Sequence, residues 1–430
     1  MRGMFGLAAA TVAAFVTSSL ARPLIVHPGS VDDVIITEDN TINGTTTHQA
    51  NGDNPLQLDI VNNFGDNQMY LYVTGTDSNG AAVMLSPDGT FFTPDAGGSA
   101  SPVPIDGPIS TELGARGETT SVTLPDFLIS ARIWVSEGEL QFMALARDGG
   151  GTTIVEPAVT NEDDPSINVK WGFVEFNYDD NTIYANISYV DWVGIAMGMG
   201  LTLATNETQI VKGLTEGAVE NICNDLKAQA EQDGAGWDEL CQYNEDGTAL
   251  RALSSNLYLA SHPEWQADYY NAYIDEVWAK YAEEDLTIAT QSDAGDVACR
   301  VNGDDMTCEG DDMAFVKPTI IDIYGCNSGP FANLEGASDL HQAIVPRLCA
   351  AFTRSTLLLD GGNVQPSLAA ENYYTVDPTN HYSRIVHNYE QDGLGYAFSY
   401  DDVNPDGENA AGTVAGDSPL LLKVTVGGWS

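Results

Sequence analysis

The sequence predicts a β-rich α+β protein, with a β-sandwich or barrel in its first half and a mixed α/β portion behind it. Period-two alternation of apolar residues runs from Leu56 onward. The short apolar runs are broken by Gly, Asn, Asp and Pro, which favours strands joined by turns over helices. In the second half the apolar spacing changes to three and four residues, the period of a helix packed on one face.

Residues 1–21, MRGMFGLAAATVAAFVTSSLA, place Arg2 before a short apolar stretch and small residues at its end. That is the pattern of a secretory signal cleaved after Ala21. Residues 22–54 are polar and acidic and read as an extension or propeptide. In the 55–430 remainder, Leu56, Leu58 and Ile60 alternate with Gln57 and Asp59, and Met69, Leu71 and Val73 with Tyr70, Tyr72 and Thr74. Ile129, Ala131, Ile133 and Val135 alternate with Ser130, Arg132 and Trp134. These strands define a β domain of about 55–165, closed by a turn-rich link from Glu156-Pro157 to Pro165. A mixed α/β portion of about 166–430 follows. Within it, helices are expected near Ala218–Ala230 and from Ser338, with a kink or restart at Pro346. Ser261-His262-Pro263-Glu264 reads as a capping box opening a helix that carries Trp265, Tyr269, Tyr273, Val277 and Tyr281 as a core stripe. Strands are expected at Thr319–Ile323, Tyr396–Tyr400 and Leu420–Val426.

The chain carries 62 acidic and 16 basic residues, a net charge of −46. Binding a phosphate backbone or an anionic membrane needs clustered Lys and Arg, so those partner classes are excluded. A neutral polysaccharide meets no such objection. Cys223, Cys241, Cys299, Cys308, Cys326 and Cys349 are widely spaced without a CxxC, which favours disulfides over zinc. Six cysteines allow fifteen connectivities; sequential pairing is expected because it closes short loops. Sequons begin at Asn43, Asn186 and Asn206.

Nucleophile and phosphate motifs are missing: there is no GxSxG, HExxH or P-loop. His381 and His387 would share a face in an extended stretch, but without a third ligand they read as ordinary polar residues rather than a metal pair. Asp402–Gly407 matches only the first half of a calcium loop, since Thr413 stands where the bidentate Glu belongs. It reads as an acidic turn, so neither a metal nor a cofactor is expected.

Carboxylate pairs remain. In VEFNYDDNTIYANISYVDW, residues 174–192, Glu175 and Asp191 sit sixteen residues apart in strand-like runs around a turn at Asp180-Asn181. Apolar neighbours raise a carboxyl's pKa, as a general acid requires. On a straight hairpin Asn186 would face Glu175, and Asp191 would lie about 16 Å away. An inverting glycosidase pair needs about 6.5–9.5 Å. The two are therefore surface charges, or the second strand bends back near Val190 and the following glycine-rich run.

The same stretch, Glu175-Phe176 with Asn186 to Gly194, resembles the region shared by thaumatin-like proteins and glycoside hydrolase family 64. Ile321 to Phe331, Asn380-His381-Tyr382-Ser383 and Gly395 to Val403 resemble family 64 more specifically, and Arg132-Ile133-Trp134 resembles a thaumatin-like strand. The resemblance spans Leu56 to the C-terminus. It implies a thaumatin-like β domain and a mixed domain flanking an open groove. It also implies metal-free, inverting hydrolysis of laminarin-like β-1,3-glucan, with Glu175 as acid and Asp191 as base. Asp322, Asp401 and Asp402 fall in matching blocks as groove-lining candidates, and Trp192 is a candidate for stacking on sugar. Each could equally be structural. The paucity of cysteine sets the chain apart from plant-defence thaumatin-like proteins. Asn186 stands where many of those place an acidic cleft residue, and a glycan there would obstruct the groove, leaving Asn43 and Asn206 as the expected carriers. The expected protein is a secreted, extracellular, monomeric fungal β-1,3-glucanase; the alternative is a non-catalytic glucan binder using the same groove.

Overall fold

The computed structural model describes residues 55–429 apart from 66, 148–149, 335 and 409–410. The expected signal (1–21), extension (22–54) and Asn43 lie outside the described residues.

Alternation becomes burial in the first strand, Leu56–Asn62, where Leu56, Leu58 and Ile60 are wholly enclosed. This strand pairs in parallel with Pro419–Val426 and antiparallel with Thr119–Leu124. Met197–Leu203 and Thr208–Val211 complete a five-stranded sheet on the other side of the C-terminal strand. An eight-stranded sheet is built around Met69–Asp77, Leu128–Glu137, Lys170–Asp179 and Thr182–Ile187, with Thr413–Asp417 at one edge. Successive side chains on a strand point to opposite faces. In this second sheet Val73, Ile133, Val174 and Ile187 stand in one row on one face. That face meets the first sheet: a Cβ on Gly172 would touch Met197, and one on Gly416 would strike Leu203. The apolar faces therefore form a sandwich core.

The expected division near residue 165 does not follow the sheets. Both sheets recruit strands from 170–211 and again from 413–426, because their inner faces are completed only by those later apolar segments. The intervening chain folds into helices and two small sheets. The helices include Ala218–Asp233, Ser255–Ser261, Asn271–Glu283, Ile320–Gly325, Asp339–Thr353 and His381–His387. The expected helices at 218 and 338 are present; Ser338 caps the latter, which contains Pro346. The three disulfides are Cys223–Cys241, Cys299–Cys308 and Cys326–Cys349, the sequential pairing.

Three local expectations are corrected. Ser261 ends a helix rather than starting one. The cap is Ser254, whose hydroxyl accepts from Leu257 N at 3.1 Å, and the next helix begins at Asn271 after turns that include Gln266 at φ 53°. Tyr273, Val277 and Tyr281 form its buried stripe, while Trp265 and Tyr269 pack around Trp237 from the turns. Thr319–Ile323 is the start of a helix, because the Asp322 carboxylate accepts from Thr319 N and Oγ1 at 2.8 and 2.7 Å and closes a capping box. Tyr396–Tyr400 forms turns with one bridge, Tyr396 to Ser188. There, Asp401 holds the backbone N–H groups of Ala397 and Phe398 and takes the place of a ladder.

Candidate active site

The face of the large sheet that points away from the sandwich core carries an unusual row. Thr74, Arg132, Glu175, Asn186 and Thr413 stand in register across five adjacent strands. The same alternation that buries Val174 in the core sends Glu175 to the opposite side, with Trp171 and Phe173. Phe142 packs against Tyr72 and Trp134 on that side, Trp192 packs against Phe173, and Glu156 meets Arg132, and Glu175 is only 4% exposed.

Burying a carboxyl here is offset by a directed partner. Arg132 lies directly opposite on the neighbouring strand, and its Nε and Nη2 both donate to Glu175 Oε1, at 3.1 and 2.9 Å. Its Nη1 donates to Glu156, the residue that follows the strand Thr152–Val155. The guanidinium lies over Phe173 at 4.5 Å from the ring centroid, which holds the fork in place. Glu175 Oε2 and Asn186 Oδ1 are buried with no partner. Such atoms are costly unless something else satisfies them.

Asp191 reaches this cluster because the second strand stops early. Thr182–Ile187 ends six residues after the turn, and the chain crosses to another segment: Tyr189 N donates to Tyr396 O at 2.7 Å. Ser254 N then donates to Asp191 O at 2.8 Å, and Trp192–Val193 pairs with Ala252 and Leu253 in a different sheet. Gly194 permits the bend to press on the Glu175 strand. A Cβ there would lie 1.9 Å from Trp171 O. Of the two alternatives the sequence left open, the chain takes the bend, and the strand ends at Ile187, three residues before Val190.

The electrostatics tie the three acids to one cation. Burial raises the Glu175 carboxyl above its usual range; Arg132 opposes this, and the charges of Asp191 and Glu156 add to it. Burial also raises Asp191, again opposed by Arg132. The charge of Asp191 acts on Glu175, on Glu156 and on Arg132, so the acid and base candidates share one field. One carboxyl, locked at one oxygen and open at the other, is suited to hold and deliver a proton. The second, half-buried on a bend, is suited to accept one.

The remaining candidates divide. Trp192 is half-buried beside this cluster, edge-on to Trp171 and Phe173 at 6.1 and 5.2 Å. Asp322 is spent on its capping box and on Ser328, whose hydroxyl it accepts. Asp401 is 1% exposed and bonded to His387 Nε2, Arg354 Nη2 and two backbone N–H groups, so it holds its loop. Asp402 keeps one buried oxygen unpaired, and burial pushes its carboxyl up to about 7. His381 and His387 lie on a helix, not an extended face: His381 meets Asp377 and Arg384, and His387 meets Glu390 and Asp401. Glu156 was hidden in the sequence, one acid among 62 in what read as a link. The signal that could have pointed to it was Arg132, a rare cation on a strand face that needs more than one carboxylate.

Residues 54–426 match the family model described as beta-1,3-glucanase, glycoside hydrolase family 64. Proteins named glucan endo-1,3-beta-glucosidase from Cellulosimicrobium cellulans and from Arthrobacter sp. (strain YCWD3) are each 29% identical over 355 residues, 81% of this chain. The chain spans about three fifths of the length of those relatives (61%). The crystal structure of a laminaripentaose-producing beta-1,3-glucanase in complex with laminaritetraose superposes with a TM-score of 0.76 at 29% identity, covering 86% of this chain and 98% of that one. A beta-1,3-glucanase domain from Clostridium beijerinckii shares the fold at TM-score 0.67 and 20% identity, over 87% of this chain and 98% of its own. With a family match that runs through both sheets and every residue of the carboxylate cluster, the chain belongs to glycoside hydrolase family 64.

Proposed function

We propose that this protein is a secreted, monomeric β-1,3-glucanase that cleaves laminarin-like polymers with inversion. The observation that carries the reading is the asymmetry of Glu175: Arg132 takes Oε1, and Oε2 is buried without a partner. A proton on Oε2 is transferred to the glycosidic oxygen as the bond to the anomeric carbon breaks. Asp191 takes a proton from a water whose oxygen attacks that carbon from the opposite face of the ring. Asn186 Oδ1, unpaired beside Glu175, accepts a sugar hydroxyl, and Trp192 offers its face to a ring. The polymer lies in an open groove between a thaumatin-like β unit and the helical portion, with Asp402 along it. The names of the relatives, the laminaritetraose bound to one of them and the strongly negative charge of this chain all favour a neutral glucan.

Reducing-sugar release from laminarin tests the activity, and an anomeric NMR time course tests the stereochemistry. The expected first product is the α-anomer. An initial β-anomer rejects inversion, and binding to glucan without release at any pH from three to seven rejects the enzyme. Retained turnover in Glu175→Gln rejects the acid.

A further inference from the structure

The cluster holds more acid than an acid–base pair uses. The charged groups facing Glu175 are Arg132 from the adjacent strand, Glu156 from the end of Thr152–Val155, and Asp191 from the bend. We propose that Glu156 is a positioning residue for the hydrolytic pair: by drawing part of the Arg132 guanidinium to itself, it keeps the proton on Glu175. This rests on the assignment of Glu175 as acid given above.

Arg132 Nη1 serves Glu156, while Nε and Nη2 serve Glu175. Three carboxylates around one guanidinium would carry a net charge of −2 (three negative, one positive), and retaining one proton halves it. Like charges sharing a site cannot all ionise readily. The proton belongs on the acid least able to be charged. Burial raises both carboxyls, but the Glu175 side chain is 5% exposed and that of Glu156 34%, so water reaches Glu156 more readily. Within Glu175, the Arg132 fork holds Oε1 as an acceptor, which leaves the proton to Oε2. A lone arginine opposite a buried acid would do the reverse and hold it ionised. Glu156 thus reconciles two needs that conflict in a simple ion pair: a rigid carboxyl, and a protonated one. Its departure would give Glu175 and Asp191 the full benefit of the cation.

The test compares pH profiles of kcat/KM on laminarin for the full chain, Glu156→Gln and Glu156→Asp. In Glu156→Gln the alkaline limb is expected to move towards acid by about one pH unit, and in Glu156→Asp to stay with the wild type. An unmoved limb in Glu156→Gln, or an equal shift in Glu156→Asp, overturns the proposal. A second readout does not depend on turnover. The infrared carbonyl band of the protonated Glu175 carboxyl, assigned by its loss in Glu175→Gln, is titrated in the wild type and both variants. It should titrate at lower pH in Glu156→Gln, and an unchanged midpoint overturns the role of Glu156 whether or not the enzyme reading stands. Should Glu156→Gln fail to fold, the infrared midpoint in Glu156→Asp at high and low salt decides. Screening is expected to move it little for a directly shared guanidinium, and a large salt shift counts against the contact.

Discussion

Arg132 stands directly across an antiparallel ladder from Glu175 and binds only one of its two carboxyl oxygens. The pairing gives the buried acid a fixed rotamer and a defined open oxygen, and both follow from strand register rather than from loop conformation.

Arg132→Lys keeps the charge and loses the fork. A lysine ammonium is a point donor that cannot bind Glu175 twice while also meeting Glu156. Charge-assisted hydrogen bonds are worth about 1.5–3 kcal/mol each, so kcat is expected to fall by about 10–100-fold, with a smaller change in KM. Steady-state kinetics on laminarin checks this; unchanged kcat would mean that the fork does not order the acid.

Gly194→Ala tests the bend. The added Cβ would lie 1.9 Å from Trp171 O, a backbone atom that moves only with its strand. A destabilisation of about 1–3 kcal/mol is expected from the overpacking. With Asp191 as the proposed base, activity should drop further than stability explains, because Asp191 lies three residues away and small misplacements of a reacting group cost heavily. Urea melts and kcat/KM measured on the same preparation separate the two effects.

The sequons differ in what they can carry. Asn186 is buried at 8% exposure in the row beside Glu175, whereas Asn206 is exposed on a turn at φ 65°. Peptide mapping of protein secreted from a eukaryotic host is expected to find glycan at Asn206 and none at Asn186. Occupancy at Asn186 would contradict the packing of that strand.

How much of this was legible depended on whether a residue's role is set by local period or by distant partners. Period two located Leu56–Asn62, Met69–Asp77 and the Glu175 strand, and carboxylates set in apolar runs drew attention to Glu175 and Asp191, to which the family resemblance added the acid and base roles. It also placed Asn186 opposite Glu175, which the register reproduces. Tyr396–Tyr400 misled because its aromatic alternation serves to pack a turn held by Asp401. Thr319–Ile323 misled because a β-branched run can start a helix when its threonine is capped three residues on by Asp322. Glu156 was out of reach, since nothing local distinguishes a carboxylate that meets an arginine twenty-four positions earlier in the chain. The sharing of sheets across residue 165 was out of reach for a related reason: the C-terminal strand that completes the first sheet lies more than 350 residues from its partner.

The last prediction concerns the ion cluster behind the site. His387 Nδ1 bonds Glu390 at 2.8 Å and Nε2 bonds Asp401 at 3.1 Å, so one imidazolium joins a helix to the loop that ends at Asp402. Although burial opposes it, Asp401 and Glu390 hold His387 charged well above its usual range, and His387 in turn helps hold Asp401 below the carboxylate range. The raised histidine contributes stability that is complete below its unfolded pKa of about 6.5. That contribution is lost as pH rises through the folded value. The depressed aspartate contributes above about 3.8, and its share is lost as pH falls through its folded value. His387→Ala strips Glu390 of its cation and leaves Arg354, on Asp401, to face two buried carboxyls; it is expected to cost about 3–5 kcal/mol near pH 6. The gap between wild type and variant should narrow as pH rises past the folded histidine value. Urea denaturation from pH 5 to pH 10 measures it, and a gap that widens towards alkaline pH would show that His387 is held neutral.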